Sequence, residues 1–222
     1  VDPQAFARLK TFARSRGATI NDVLLAALYR ALFAEPAFTG NCPPDHTPLP
    51  VQVSLDLRRF VSEDRRPRIC NLSGAIFPAI EYRPGETFDE TLAQTVTAVT
   101  RWKAHEPGLT GVMLIDLAMA GGFQNAKKFF GRGEAGQDTL VSPLLLSNLG
   151  ILDGQRLALA DAPVVEAYEL GPVMFGHGMM LTASTYQGCL TLAMGFCAGC
   201  LDPATAARLM DSIQQALATC PD

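Results

Sequence analysis

Proton transfer near neutral pH most often uses a histidine, and this chain of 222 residues has three, His46, His105 and His177. Each stands alone in sequence. His46 sits in a proline-rich stretch and reads as an exposed loop residue. His105 follows a helical pattern, where the helix dipole favours the protonated ring. His177 lies between Gly176 and Gly178, which let the backbone approach something closely. It reads first as a turn or packed residue and second as a ligand-facing one. Cys197 and Cys200 form Cys-x-x-Cys. A redox pair of that kind normally opens a helix after a strand, where the thiol pKa falls. Here it closes a strand pattern and precedes the cap of the last helix. A zinc site needs further ligands at ordered spacing, and the other cysteines do not supply it. The pair reads as structural first, with metal binding and redox chemistry as lesser alternatives, and no metal site is expected. Ser147-Asn148 ends a strand pattern. Strand ends commonly face ligands, and asparagine offers both a donor and an acceptor. A sheet-end hydrogen bond and a substrate channel are both open readings there. The sequence has no strand–GxGxxG–helix phosphate loop and no Gly-x-Ser-x-Gly elbow. Gly131-Arg132-Gly133 with Gly136 follows Phe129-Phe130 and reads as a flexible loop.

The elements that must position these residues have clear local signals. Asp2-Pro3 pairs an N-cap acceptor with proline at the first helical position. Phe6, Leu9, Phe12 and Ala13 then share one helical face, which Gly17 ends. Thr19 and Asp22 resemble a capping box. The following helix, through Leu32, is apolar almost all round and is expected to be buried, with Pro36 as its stop. Residues 37–50 read as a loop. Val51, Val53, Leu55 and Leu57 alternate with polar residues as a half-buried strand does. Residues 58–70 form a charged excursion. Leu72 to Tyr82 reads as a second strand that Gly74 and Pro78 disturb, and Pro78 argues for an edge or a bulge. Thr87–Ala104 and Thr110–Met119 read as helices, and 123–138 as loosely specified. Leu140–Leu146 and Val164–Tyr168 read as strands. Met179–Tyr186 and Leu190–Phe196 read as a hairpin around Gln187-Gly188. Asp202-Pro203 opens a last helix through Leu217. Without strict βα alternation a doubly wound fold is not expected. The expected class is α/β (α+β), with a mixed sheet and helices packed on one face.

Composition removes several function classes. Net charge is −4, and nucleic-acid binding needs a concentrated basic face. The basic run Arg58, Arg59, Arg65, Arg66 and Arg68 is interleaved with Asp56, Glu63 and Asp64, so it reads as a solvated loop. No run of 18 apolar residues suggests a transmembrane helix. Asp2, Arg8 and Lys10 interrupt any signal-peptide core. Cytoplasmic thiols are the expected state of the six cysteines, and the cytoplasm is the expected location. Charged residues make up 18%, compatible with a face covered by another lobe or subunit.

An ordered set of short motifs resembles the C-terminal lobe of the coenzyme A-dependent acyltransferase superfamily. That group holds chloramphenicol acetyltransferase-like enzymes, condensation domains, wax ester synthases and alcohol acetyltransferases. The helix start Thr19-Ile20-Asn21-Asp22-Val23-Leu24-Leu25-Ala26-Ala27 carries the resemblance, with the strand Val51 to Arg58 and Asn71-Leu72-Ser73-Gly74. Ser147-Asn148-Leu149-Gly150, Gly171-Pro172 and Ser184-Thr185-Tyr186-Gln187-Gly188-Cys189-Leu190 complete it across residues 19–217. The resemblance implies one chloramphenicol acetyltransferase-like lobe. Such enzymes carry a His-His-x-x-x-Asp motif in an N-terminal lobe, and its second histidine is the proposed base. This chain has no adjacent histidines, so no catalytic residue is assigned within it. Ser147, Asn148, His177 and Tyr186 are the implied substrate-tunnel candidates. Asn21, Asp22, Arg58, Gly150, Gly171, Pro172 and Gly188 are the implied structural positions. The implied co-substrate is an acyl thioester on coenzyme A or a carrier protein, with no covalently bound cofactor. The implied partners are the missing N-terminal lobe and an acyl or peptidyl carrier domain. Leu170-Gly171-Pro172 departs from the Asp-Phe-Gly-Trp-like element of condensation domains, which favours the wax synthase or acetyltransferase branch. A lobe that binds without reacting is the alternative.

Overall fold

The computed structural model describes residues 1–39, 48–62, 72–105, 109–125, 144–154, 157–159, 162–173 and 178–220. Local sequence sets the first two helices. The Asp2 carboxylate accepts the Gln4 and Ala5 N–H groups, each at 2.9 Å, and so caps α1 (Pro3–Ser15). Phe6, Leu9, Phe12 and Ala13 are its buried face. Gly17 takes φ +65° and ends it, a left-handed turn that glycine adopts without steric cost. Thr19 and Asp22 exchange the two bonds of a capping box at the start of α2 (Ile20–Ala34). From Asp22 to Leu32 every α2 residue except Arg30 is buried. Pro36 ends α2 but also opens a four-residue helix, α3 (Pro36–Thr39), where the sequence suggested a loop.

The remaining elements are β1 (Leu49–Pro50), β2 (Gln52–Asp56), a 3-10 turn (Leu57–Phe60), β3 (Ser73–Ile76) and β4 (Ala79–Ile80). Then come α4 (Phe88–His105), α5 (Leu109–Ala120), β5 (Leu144–Ile151), β6 (Ala158–Leu159) and β7 (Ala162–Pro163). The chain closes with β8 (Met179–Tyr186), β9 (Cys189–Phe196) and α6 (Pro203–Ala218). Five strands form the main sheet in the order β3-β2-β5-β8-β9. β2, β5 and β8 run parallel, and β3 and β9 are antiparallel to their neighbours. One face of this mixed sheet, including Val53, Ile76, Leu146, Met179 and Leu181, joins Leu9, Leu28, Leu92, Leu209 and Ile213 in one core. The helices α1, α2, α4 and α6 therefore cover that face, as the polar–apolar alternation suggested.

Three strand readings change in detail. The 72–82 run splits into β3 and β4 at Phe77-Pro78, because proline has no N–H to give a ladder. β3 is an edge of the main sheet, and β4 leaves it to pair with β1. β5 starts at Leu144 and runs on to Ile151, and residues 140–143 lie outside the described part. Residues 164–168 form no strand. β8 is already paired along both edges, by β5 and β9, so a further segment can only cross the sheet face. The 187–188 turn is as expected. Gln187 and Gly188 take φ +46° and +83°, both positive as a two-residue hairpin turn requires.

The split at Pro78 is fixed from within. The Pro78 carbonyl accepts the Val51 N–H at 3.0 Å and the Tyr29 hydroxyl at 2.7 Å. Tyr29 is fully buried, and burial pushes its phenol above the usual range. Tyr29→Phe removes one donor and leaves the carbonyl its backbone partner. The expected loss is therefore at the modest end, about 0.5–1.5 kcal/mol, read as a lower urea midpoint at unchanged m-value. Among the described residues no single helix is long and apolar enough to cross a membrane, and α1 and α2 qualify by composition only as a pair bent by 97°.

Candidate functional site

The other face of the sheet carries a row of short, mostly polar side chains, flanked by the pair Leu145 and Met180. Alternation along a strand sends Ser54, Ser147 and Thr182 to the side away from the core residues Val53, Leu146 and Leu181. Register aligns them. Ser54 pairs with Ala75, Ser147 with Thr182, and Thr182 with Ala193. The Ser54 hydroxyl donates to Ser147 Oγ at 3.0 Å, joining the two halves of the row. Ser147 and Thr182 are buried. The Thr182 hydroxyl donates to the Ala193 carbonyl at 3.2 Å. Five strands thus contribute Ala75, Ser54, Ser147, Thr182 and Ala193 to one transverse line of small residues.

The segment 164–173 crosses this face over β8 and β9. Its backbone bonds go to side chains. The Glu169 N–H donates to Ser184 Oγ at 3.2 Å, and Thr182 Oγ1 lies 3.4 Å from the Glu169 carbonyl. The Tyr186 hydroxyl donates to the Val164 carbonyl at 2.6 Å and anchors the start of the crossing. Two glycines allow the close approach. A Cβ on Gly171 would lie 2.8 Å from both Met180 Sδ and Thr182 Cγ2, and one on Gly195 would lie 2.7 Å from the Pro172 carbonyl oxygen. That contact gives Gly171-Pro172 a physical reason that spacing alone did not supply.

The sequence-derived candidates fall in different places. Ser147 stands in the polar row, and Tyr186 lies on the same face of β8 but outside the row, paired with Cys189 beside the hairpin turn. Asn148 alternates to the opposite side of β5, and its Oδ1 accepts the Gly150 N–H at 3.0 Å. Gly150 takes φ +77°, and the pairing of β5 with β8 is irregular between Asn148 and Ile151. His177 lies outside the described residues, as do His46 and Asn71. His105 closes α4. Asp22 Oδ2 serves the capping box, while Oδ1 is buried without a hydrogen-bond partner. Asn21 is half-buried beside it. Arg58 is the second residue of the 3-10 turn, its N–H donating to Asp56 Oδ1 at 2.9 Å. Gly188 completes the hairpin turn against Pro3. Sequence reasoning missed Ser54, Thr182 and Ser184. The polar positions of the β2 and β8 alternation carried that signal.

Thr182 lies beneath the crossing with its hydroxyl on the Ala193 carbonyl, so the hydroxyls left to orient a carbonyl or an amide are those of Ser54 and Ser147. They do not hold a proton taken from a nucleophile at neutral pH. A concavity of about 1030 Å³ lies elsewhere, between α4 and β4, with Ile80, Arg83, Gln94 and Trp102 in its wall. Its size exceeds its chemistry. Glu90 is held by the Thr87 N–H and hydroxyl, and Gln94 donates to Glu86.

No protein-family profile and no curated protein matches this sequence. Solved structures do. Polyketide synthase associated protein 5 from Mycobacterium tuberculosis is similar at a TM-score of 0.64 and 17% identity, over 98% of this chain and 50% of that one. The epimerization domain from the third module of tyrocidine synthetase B is similar at 0.59 and 16%, over 99% and 46%. The first condensation domain of the CDA synthetase is similar at 0.58 and 14%, over 99% and 43%. The likeness is one of fold. This chain has the fold of a condensation-type lobe, as the ordered motifs led one to expect, and it spans about half the length of the structures it matches.

Proposed function

We propose that this chain is the C-terminal lobe of a two-lobed acyltransferase. In this reading it supplies part of the wall of a tunnel. There an acyl thioester, on coenzyme A or a carrier protein, meets a hydroxyl or amine acceptor. The observation that carries the reading is the length relation: nearly all of this chain aligns, with about half of each similar structure. The polar row supports the same reading. Ser54 and Ser147 offer hydroxyls without a base, which suits a lobe that orients a substrate while another lobe holds the catalytic histidine. Of the tunnel candidates Ser147, Asn148, Tyr186 and His177, Ser147 and Tyr186 share the face that bears the polar row, Asn148 stands on the other side of β5, and His177 stays a proposed one. Coenzyme A or a carrier domain as donor, and the wax synthase or acetyltransferase branch, belong to this proposal.

The test uses the polypeptide as its source cell makes it. Intact mass and N-terminal sequencing are expected to give roughly twice this chain's length, with His-His-x-x-x-Asp ahead of Val1. That polypeptide is expected to transfer acyl groups from a panel of acyl-coenzyme A and acyl-carrier thioesters to alcohols or amines. Ser147→Leu, which fills the row, is expected to lower kcat/KM by more than tenfold. Transfer by this chain alone, or a natural product that starts at Val1 and binds thioesters without reacting, would overturn the reading.

A further inference from the structure

A second place in the fold gathers reactive groups that acyl transfer leaves unused. β9 ends at Phe196, and the chain turns through 197–201 before Asp202 caps α6. The Cys200 and Leu201 N–H groups both donate to the Cys197 carbonyl, each at 2.9 Å. A tight turn of this kind holds its first and fourth Cα atoms within about 7 Å. A disulfide spans roughly 4.4–6.8 Å between Cα atoms. The Cys197 side chain folds back over the turn, since a Cβ built on Gly199 would lie 3.9 Å from Cys197 Sγ. With no side chain at Gly199, nothing from that position stands between the two sulfurs. Both cysteines are thiols of intermediate exposure, and Ala198 and Gly199 between them are exposed. A small reagent can therefore reach the turn that carries the pair.

We infer that Cys197 and Cys200 are a dithiol that closes an intramolecular disulfide by exchange with a small-molecule disulfide such as oxidised glutathione. One thiolate attacks the reagent, forms a mixed disulfide and expels a glutathione thiolate. The second cysteine then attacks the protein sulfur of that mixed disulfide and expels the other glutathione. Two protein thiols lose two electrons and two protons, and one small disulfide becomes two thiols. The other described cysteines have different surroundings. Cys189 stands at the far end of β9. Cys220 follows α6, and burial pushes its thiol up to about 11, which leaves little thiolate for attack. Gly195, under the crossing segment, is two residues from Cys197, so the new ring would stiffen the corner beneath that segment.

The experiment equilibrates the whole chain in mixtures of reduced and oxidised glutathione, quenches with acid and alkylates. Two of the six thiols are expected to disappear, with an intact mass lower by two hydrogens and a peptide linking 197 to 200. Cys197→Ser and Cys200→Ser are each expected to abolish the 197–200 link and to lose one thiol instead of two, as a glutathione adduct trapped on the remaining cysteine. Cys189→Ser and Cys220→Ser are expected to leave it unchanged. Six thiols still titrating under oxidising mixtures would overturn the inference. So would a lasting glutathione adduct on the unsubstituted pair, or a link that maps to any other two cysteines. The mapping on the unsubstituted chain decides the matter even if a variant fails to fold.

Discussion

Gly195→Val is expected to lower stability by about 2–4 kcal/mol and to lift the 164–173 segment from the sheet. Two effects compete at this position. Glycine inside a strand costs entropy, so a β-branched residue at an open strand site would gain roughly 0.5–1 kcal/mol. Here the new Cβ would meet the Pro172 carbonyl oxygen at 2.7 Å, with the Gly171 oxygen and the Pro172 carbonyl carbon both at 3.4 Å. All three atoms are backbone, and no rotamer change moves them aside. The clash wins, and the crossing must shift. Its bonds to the sheet then loosen together: the Glu169 N–H to Ser184 and the Val164 carbonyl to Tyr186. Urea unfolding measures the stability loss. Amide exchange at Glu169 reports the lifting, and faster exchange there than in α2 is the expected pattern. Gly199→Ala is the control, because its Cβ would meet only Cys197 Sγ, at the ordinary contact distance of 3.9 Å. Equal stability of Gly195→Val and Gly199→Ala would mean that the crossing does not rest on β9.

The crossing also marks where sequence reading stops. The caps at Asp2, Thr19 and Asp202 were legible because each is a bond between residues at most three positions apart. The 187–188 turn was legible for the same reason. Val164-Val165-Glu166-Ala167-Tyr168 signals only extended backbone. Whether an extended segment joins a ladder depends on whether a strand edge is vacant, and β8 has none. The polar row was hidden by distance rather than chemistry. Ser54 and Ser147 are 93 positions apart, and only the parallel register of β2 with β5 brings them together. Ser147 and Asn148 read as one pair in sequence, yet alternation sends them to opposite sides of the sheet. The lobe itself was legible from several weak motifs in order, because order and gaps constrain a topology that no single motif does.

Helix α5 gives the acyltransferase reading its most direct physical test. It has one charged residue, Asp116, in twelve positions, a composition that normally marks a buried helix. Instead Met113 and Leu117 are each 72% exposed, and Phe123, just beyond, is 75% exposed. Positions four apart share a helix face, so Met113 and Leu117 present one apolar surface. If the other lobe covers it, each side chain contributes about 1.5–3 kcal/mol on full burial, less the ordering cost of association. Met113→Glu combined with Leu117→Glu removes that gain and asks two carboxylates to leave water. Association with the other lobe, expressed as a separate chain, is expected to weaken by about a hundredfold or more, or roughly 3 kcal/mol. The unfolding midpoint of this chain alone is expected to stay nearly fixed, since both side chains are already in water. Thr100→Glu, at an exposed polar position on α4, controls for added charge. Calorimetric titration of one lobe with the other measures the difference. Unchanged affinity in the α5 variant would put α5 outside the lobe interface. A large loss of stability in the isolated variant would mean that this chain already buries the surface itself. A hundredfold loss of affinity at fixed stability would tie the exposed apolar face to the proposed partner lobe.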